Sequence, residues 1–166
     1  MKNVNCKLKD FIKSANTGLD AIQRAPIVNY ETKIKCLRIQ DISQSKSFVN
    51  WGNTIVDESY YNDFKLKPND IIIARTGSTV GINCFIKEEL PAVFNNGLIR
   101  LRINDKILPY YCYLYMQTPF FKEYINNISC GTSTQPNIKI NDLLNIEFPC
   151  YNIEVQQHIV NTIYFV

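Results

Sequence analysis

Asp70-Ile71-Ile72-Ile73-Ala74-Arg75-Thr76-Gly77-Ser78-Thr79-Val80-Gly81 is the stretch on which the fold turns. Its apolar run, Ile71 to Ala74, has the length of a strand covered on both faces, since a strand with one wet face would alternate. The preceding Leu66-Lys67-Pro68-Asn69-Asp70 reads as a turn, because proline fixes φ and Asn and Asp tolerate the tight backbone. After Gly77, Val80, Ile82, Cys84 and Ile86 alternate with Gly81, Asn83 and Phe85, the period of a half-buried strand. The two segments predict a β-hairpin with Thr76-Gly77-Ser78-Thr79 at its tip, where glycine supplies a positive φ.

Working outward, Leu98 to Ile103 alternates again, with Ile99, Leu101 and Ile103 on one face and Arg100 and Arg102 on the other, so a strand with a cationic outer face is predicted. Ile34 to Ile39, ending in Gln40-Asp41, is a further strand. Lys13 to Gly18 and Asn50-Trp51-Gly52-Asn53 read as turns, Asp20 to Tyr30 as a loop, and Ser59 to Lys67 as a short helix or an irregular connection. Pro109 to Gln117 is aromatic-rich and helical, with proline in the first turn where its missing donor costs nothing. Thr118-Pro119 then reads as an N-cap and first helical residue of a second helix running through Ile128. Asn152 precedes a last helix in which Val155, Ile159 and Ile163 form one apolar stripe. The expected fold is α+β: a twisted, mostly antiparallel sheet flanked by short helices, with a C-terminal helix leaving the body.

At 166 residues one domain is the default, and a chain of this length buries about 70% of the surface its unfolded form exposes. The 46% hydrophobic and 20% charged fractions are those of a globular protein. No apolar run approaches the roughly 18 residues of a membrane span, and Phe11-Ile12 is followed at once by Lys13, which does not suit a secretory signal. A cytoplasmic location is therefore expected, and with it six reduced, buried thiols, since no two cysteines form a Cys-x-x-Cys pair. The net charge of +3 is too small for indiscriminate polyanion binding, so any nucleic-acid affinity depends on where the cations sit.

Catalysis finds little support. The single histidine, His158, lies in the terminal amphipathic helix, and a Cys84-His158 hydrolase would have to use it. No Cys/His cluster has metal-ligand spacing. Arg75 to Gly81 is no phosphate-cradling loop, because Gly81 is followed by Ile82-Asn83 where Lys-Ser/Thr is required, and no glycine-rich cofactor loop is present. A recognising rather than a reacting domain is expected, without cofactor or metal. Arg75 can pair bidentately with guanine or with phosphate, and Thr76 and Ser78 can serve base or backbone. Gly131-Thr132-Ser133-Thr134-Gln135-Pro136-Asn137 is a second polar loop, whose Gln and Asn match the donor-acceptor pair of adenine, although such residues also satisfy their own backbone. Lys33, Lys35, Arg38, Arg100 and Arg102 are interleaved with strand positions and could form a phosphate-neutralising stripe, with Gln23-Arg24 and Asn95-Asn96-Gly97 as further candidates.

The order of these pieces, Asp70 to Gly81, then Pro91-Ala92-Val93-Phe94, then Gly131 to Asn137, then Ile146-Glu147-Phe148-Pro149 and Gln156-Gln157-His158-Ile159-Val160, resembles the target recognition domain of type I restriction-modification specificity subunits. The resemblance covers nearly the whole chain. It implies a recognition domain over residues 1–150 and the start of a truncated spacer helix over 151–166. It also implies that double-stranded DNA is the partner, with one half of a bipartite target read for the modification (methyltransferase) and restriction subunits. The candidate DNA contacts are Arg24, Lys35, Arg38, Arg75, Thr76, Ser78, Asn96, Ser133 and Gln135. Where the family pattern has two recognition domains this chain has one, so it is expected to be a fragment or a half-subunit that joins a second half. The rival reading is a protein-interaction module built on the aromatic helix of Tyr110, Tyr111, Tyr113 and Tyr115, since tyrosine is favoured at interfaces.

Overall fold

A computed structural model describes residues 6–130 and 135–164. In chain order they form β1 (Cys6–Lys7), β2 (Ile12–Thr17), β3 (Ile27–Val28), β4 (Lys35–Leu37), α1 (Ile39–Ser43), β5 (Gly52–Thr54) and α2 (Glu58–Phe64). There follow β6 (Ile71–Ala74), β7 (Asn83–Phe85), β8 (Ala92–Phe94) and β9 (Leu98–Ile103). The chain ends in α3 (Pro109–Tyr115), α4 (Pro119–Ser129), α5 (Ile140–Leu144), β10 (Glu147–Phe148) and α6 (Ile153–Tyr164). Short 3-10 turns occupy Leu8–Phe11 and Phe48–Asn50.

The class is α+β, with eight of the described strands in two four-stranded sheets and β1 and β10 paired in a two-stranded one. The first has the order β2-β9-β6-β7 and is antiparallel throughout. The second has the order β3-β5-β4-β8, with β4 and β8 parallel. The hairpin forms, with Ile71 opposite Phe85 and Ile73 opposite Asn83, but its second strand begins at Asn83 and not at Val80, so the connection is longer than the predicted tip. Asn50 to Asn53 differs from its reading as a turn, because Gly52 and Asn53 enter β5, which pairs with β3 and β4.

The reason for the unbroken apolar run in β6 is now visible. Ile71 and Ile73 join Ile99 and Leu101 in a core that also holds Tyr111, Cys112, Phe121 and Ile125 from the helices. Ile72 and Ala74 face the other way and pack with Leu98 against Leu37, Ala92 and Phe94. All four residues of β6 are fully buried, and each of its isoleucines contributes about 1.5–3 kcal/mol over an exposed side chain. β6 is thus the layer shared by the helices and the second sheet.

Helix starts follow the local chemistry. The Thr118 hydroxyl accepts from the Phe121 amide at 3.3 Å, with Pro119 as the first helical residue of α4. Asn152 Oδ1 accepts from the Val155 amide at 2.9 Å at the head of α6. The inner face of α6 differs from the predicted stripe. Gln156 is fully buried, while Val155 and Ile163 are 40% and 51% exposed and Ile159 and Val160 pack on the first core. The cause lies in α3: the Leu108 amide at its head needs an acceptor, and Gln156 Oε1 supplies one at 2.8 Å while Gln156 Nε2 donates to Tyr151 O at 2.7 Å.

The cysteines also depart from expectation. Pairing of β1 with β10 sets Cys6 opposite Phe148, which brings Cys150 within 6.2 Å Cα to Cα of Cys6, and the two are joined as a disulfide. Cys36 and Cys112 are buried free thiols, as predicted, but Cys130 is exposed. No helix among the described residues is long and apolar enough to cross a membrane.

Candidate nucleic-acid interface

Arg75 leaves the end of β6 and is held by its backbone on two sides. Its amide donates to Gly97 O at 2.9 Å, and its carbonyl accepts from the Ile138 amide at 2.8 Å. Thr76 and Asn137 form an antiparallel bridge, and the Gly77 amide donates to Pro136 O at 3.1 Å. Gly77 has φ of +83°, and a Cβ built there would lie 4.0 Å from its nearest neighbour, Gln135 Nε2, so glycine is required by conformation and not by lack of room. The Arg75 side chain, half-buried, donates from Nε and Nη2 to Asn137 Oδ1, both at 3.3 Å. The start of the first polar loop that the sequence singled out is therefore hydrogen-bonded to the described end of the second, residues 135–137.

The edge continues through the turn at 95–97. The Gly97 amide donates to Asn95 Oδ1 at 3.2 Å, the Asn96 amide donates to Leu19 O at 2.8 Å, and the Asn95 amide donates to Leu37 O at 3.1 Å. Beyond it, Asp20 caps a turn by accepting from the Ile22 and Gln23 amides at 3.2 and 2.8 Å. The Gln23 amide is the chief reason that the Asp20 carboxyl titrates below its usual range, with the Ile22 and Arg24 amides and the Arg24 charge adding to it. Arg24 stands on this turn, 3.3 Å from Asp20 and 5.6 Å above the Tyr60 ring. Backbone hydrogen bonds so connect residues 135–138, 75–77, 95–97 and 18–20. Ser78, Asn96, Gln135 and Arg24 are exposed along it, and Thr76 is half-buried. Ser133 lies outside the described residues.

Other cations take a different part. Arg38 precedes α1 and forms a fork on Asp41, Nε to Oδ2 at 2.9 Å and Nη2 to Oδ1 at 3.0 Å, which raises its pKa further. Lys35 must leave the candidate set: it is 4% exposed, and its Nζ donates to Glu31 Oε1 at 2.8 Å and Asn53 Oδ1 at 2.6 Å. The predicted cationic outer face of β9 is likewise an inner face. Arg100, also 4% exposed, donates to Lys65 O, Asp63 O and Asn16 Oδ1 at 3.1, 3.1 and 3.2 Å. Arg102 forks onto Asp70 at 2.8 and 3.2 Å and also reaches Lys65 O. The end of α2 presents carbonyls with no helical partner, and these arginines satisfy them.

The aromatic helix is largely spent on packing. Tyr111 is 4% exposed and donates to Pro149 O, Tyr115 donates to Glu147 O, and Tyr113 packs on Phe85. Burial raises the Tyr111 and Tyr115 phenols far above their ordinary range. Burial likewise pushes the Cys84 thiol up to about 12, the wrong direction for a nucleophile. Among the described residues no group of three or more His, Cys, Asp or Glu is placed to hold a metal. What sequence reasoning missed is the role of Asn137: it was noted only for its match to adenine, whereas its contact with Arg75 spans 62 positions and no local pattern signals it.

The chain matches the family model described as type I restriction modification DNA specificity domain over residues 2–164. It belongs to that family. The fold of this specificity domain is shared with a type I restriction-modification system S subunit from M. genitalium, at TM-score 0.66 and 18% identity over 99% of this chain and 40% of that one. It is shared also with the HsdS subunit from Thermoanaerobacter tengcongensis, at TM-score 0.64 and 16% identity over 99% of this chain and 38% of that one. A third structure, described as the structural basis of complex assembly and conformational transition of the type I R-M system, matches at TM-score 0.67 and 16% identity over 95% and 36%. The chain thus spans about two fifths of the length of the structures it matches. A comparison with curated proteins gives no match.

Proposed function

We propose that this specificity domain reads one half of a bipartite duplex DNA target and so directs the methylation and restriction subunits of a type I system, without chemistry of its own. The observation that carries the reading is the joining of residues 75–77 to 135–138 by backbone and side-chain hydrogen bonds, which presents Arg75 from a rigid edge. In this reading Arg75 contacts a base edge, Thr76, Ser78, Asn96 and Gln135 supply neutral hydrogen bonders beside it, and Arg24 lies toward the phosphates. Ser133 belongs to the same loop, and Arg38 is a weaker candidate because Asp41 already occupies its fork. Residues 151–164 begin the spacer helix that carries the second half of the specificity subunit and its partners.

The test is selection from a pool of duplexes with a randomised core, followed by titration of the selected duplex at several salt concentrations. Recovery of one consensus half-site is expected, with affinity falling by about 0.9 log units per log unit of salt for each phosphate neutralised. A pool that returns no consensus, together with a flat salt response, would sink the proposal.

A further inference from the structure

We infer that Asn137 is the positioning residue that sets the aim of Arg75, so that one base pair of the target is specified jointly by two residues 62 positions apart. The inference rests on the DNA-reading role of Arg75 proposed above and adds to it a second determinant of specificity.

The geometry is particular. A guanidinium carries five N–H groups in a rigid plane. The Nε and Nη2 of Arg75 both donate to the single oxygen Oδ1 of Asn137, so any rotation of the plane lengthens one bond or the other. That uses the side edge of the fork. The end edge, with Nη1 and the second Nη2 proton, meets no acceptor among the described residues, and it has the spacing that pairs with guanine O6 and N7. Asn137 is itself held: it bridges to Thr76, its amide donates to Ser129 O at 3.4 Å, and the next amide, of Ile138, donates to Arg75 O. The chemistry of the holder matters as much as its place. A carboxylate there would fix the same plane but neutralise the cation, as Asp41 does for Arg38. A carboxamide fixes direction and leaves the full positive charge for DNA.

The experiment uses a duplex selected from the randomised pool and its single-base-pair variants. Arg75→Ala marks the base pair whose discrimination collapses. Asn137→Leu, close in shape but without the acceptor, is expected to lose about tenfold discrimination at that same base pair, while its affinity for an unrelated duplex and its salt slope stay as in the parent. The Arg75→Ala, Asn137→Leu double variant should discriminate no worse than Arg75→Ala alone. Asn137→Asp should keep the discrimination while binding every duplex more weakly. Melting curves establish that each variant is folded. Should Asn137→Leu fail to fold, Asn137→Ala removes the same acceptor without adding bulk and is expected to lose the same discrimination.

Full discrimination in Asn137→Leu, or in Asn137→Ala where the first does not fold, overturns the positioning role and leaves DNA reading by Arg75 intact. Equal loss at several base pairs in Asn137→Leu, or additive losses in the double variant, also overturns it, since either marks a general loosening of the loop. An Arg75→Ala variant that keeps every preference removes the reading role of Arg75, and the inference with it.

Discussion

Two sets of arginines, both predicted from the sequence to face outward, meet opposite fates. Arg100 and Arg102 on β9 are met by Asp70 and by the carbonyls of Asp63 and Lys65 at the end of α2. Arg75, one residue beyond β6, is met by a neutral carboxamide at the rim of the same sheet. In the first set the cations are consumed in joining α2 and the 65–70 turn to the sheet. In the second the cation is held but not neutralised. The difference lies in the holder: a carboxylate and the carbonyls at a helix end offset the charge of Arg100 and Arg102, whereas a neutral carboxamide leaves that of Arg75 uncompensated.

The comparison can be broken most decisively at Asp70. Asp70→Ala removes the carboxylate that takes two of the three Arg102 hydrogen bonds and accepts from the Lys67 amide, and stability should fall by about 3 kcal/mol in urea denaturation. This is near the lower end for a broken ion pair, because the Arg102 side chain is 25% exposed. A loss under about 1 kcal/mol would show that the β9 arginines are not structural. Next in size is Arg100→Met, which leaves the Lys65 and Asp63 carbonyls without that donor and should cost about 2 kcal/mol by the same measurement. Arg75→Ala should reverse the pattern. Its stability should change by no more than about 0.5 kcal/mol, while discrimination at one base pair falls by about 1–3 kcal/mol in competition binding. Comparable loss on all duplexes would instead make Arg75 a phosphate contact.

The smallest effect concerns the far end of the edge. The folded pKa of Asp20 lies below its ordinary value of 3.8, so its contribution to the 20–24 turn is present above pH 3.8 and is lost as pH falls through the folded value. An NMR titration should place the carboxyl midpoint below 3.8, with faster exchange of the Gln23 amide on acidification. A midpoint at or above 3.8 would remove the anchor of the turn that carries Arg24.

Much of the fold was legible locally. The β6–β7 hairpin, β9, the Thr118-Pro119 start of α4 and the Asn152 start of α6 all follow from side-chain period and capping chemistry, which act over a few residues. The candidate site was legible as two polar stretches, 75–81 and 131–137, but the hydrogen bonds that join residues 75–77 to 135–138 were not. The misplacements share a cause. Lys35, Arg100 and the α6 stripe were assigned from sequence neighbours, while their partners Asn53, Lys65 and Leu108 lie 18, 35 and 48 positions away.

By itself the sequence determined which residues share a face of each strand and where helices begin, because backbone geometry repeats every two or 3.6 residues regardless of what lies opposite. Only the tertiary structure decided which faces meet solvent and which charges stay available. A cation on a strand is exposed or spent according to the acceptor that distant chain brings to it, and β9 met the end of α2 where Arg75 met Asn137.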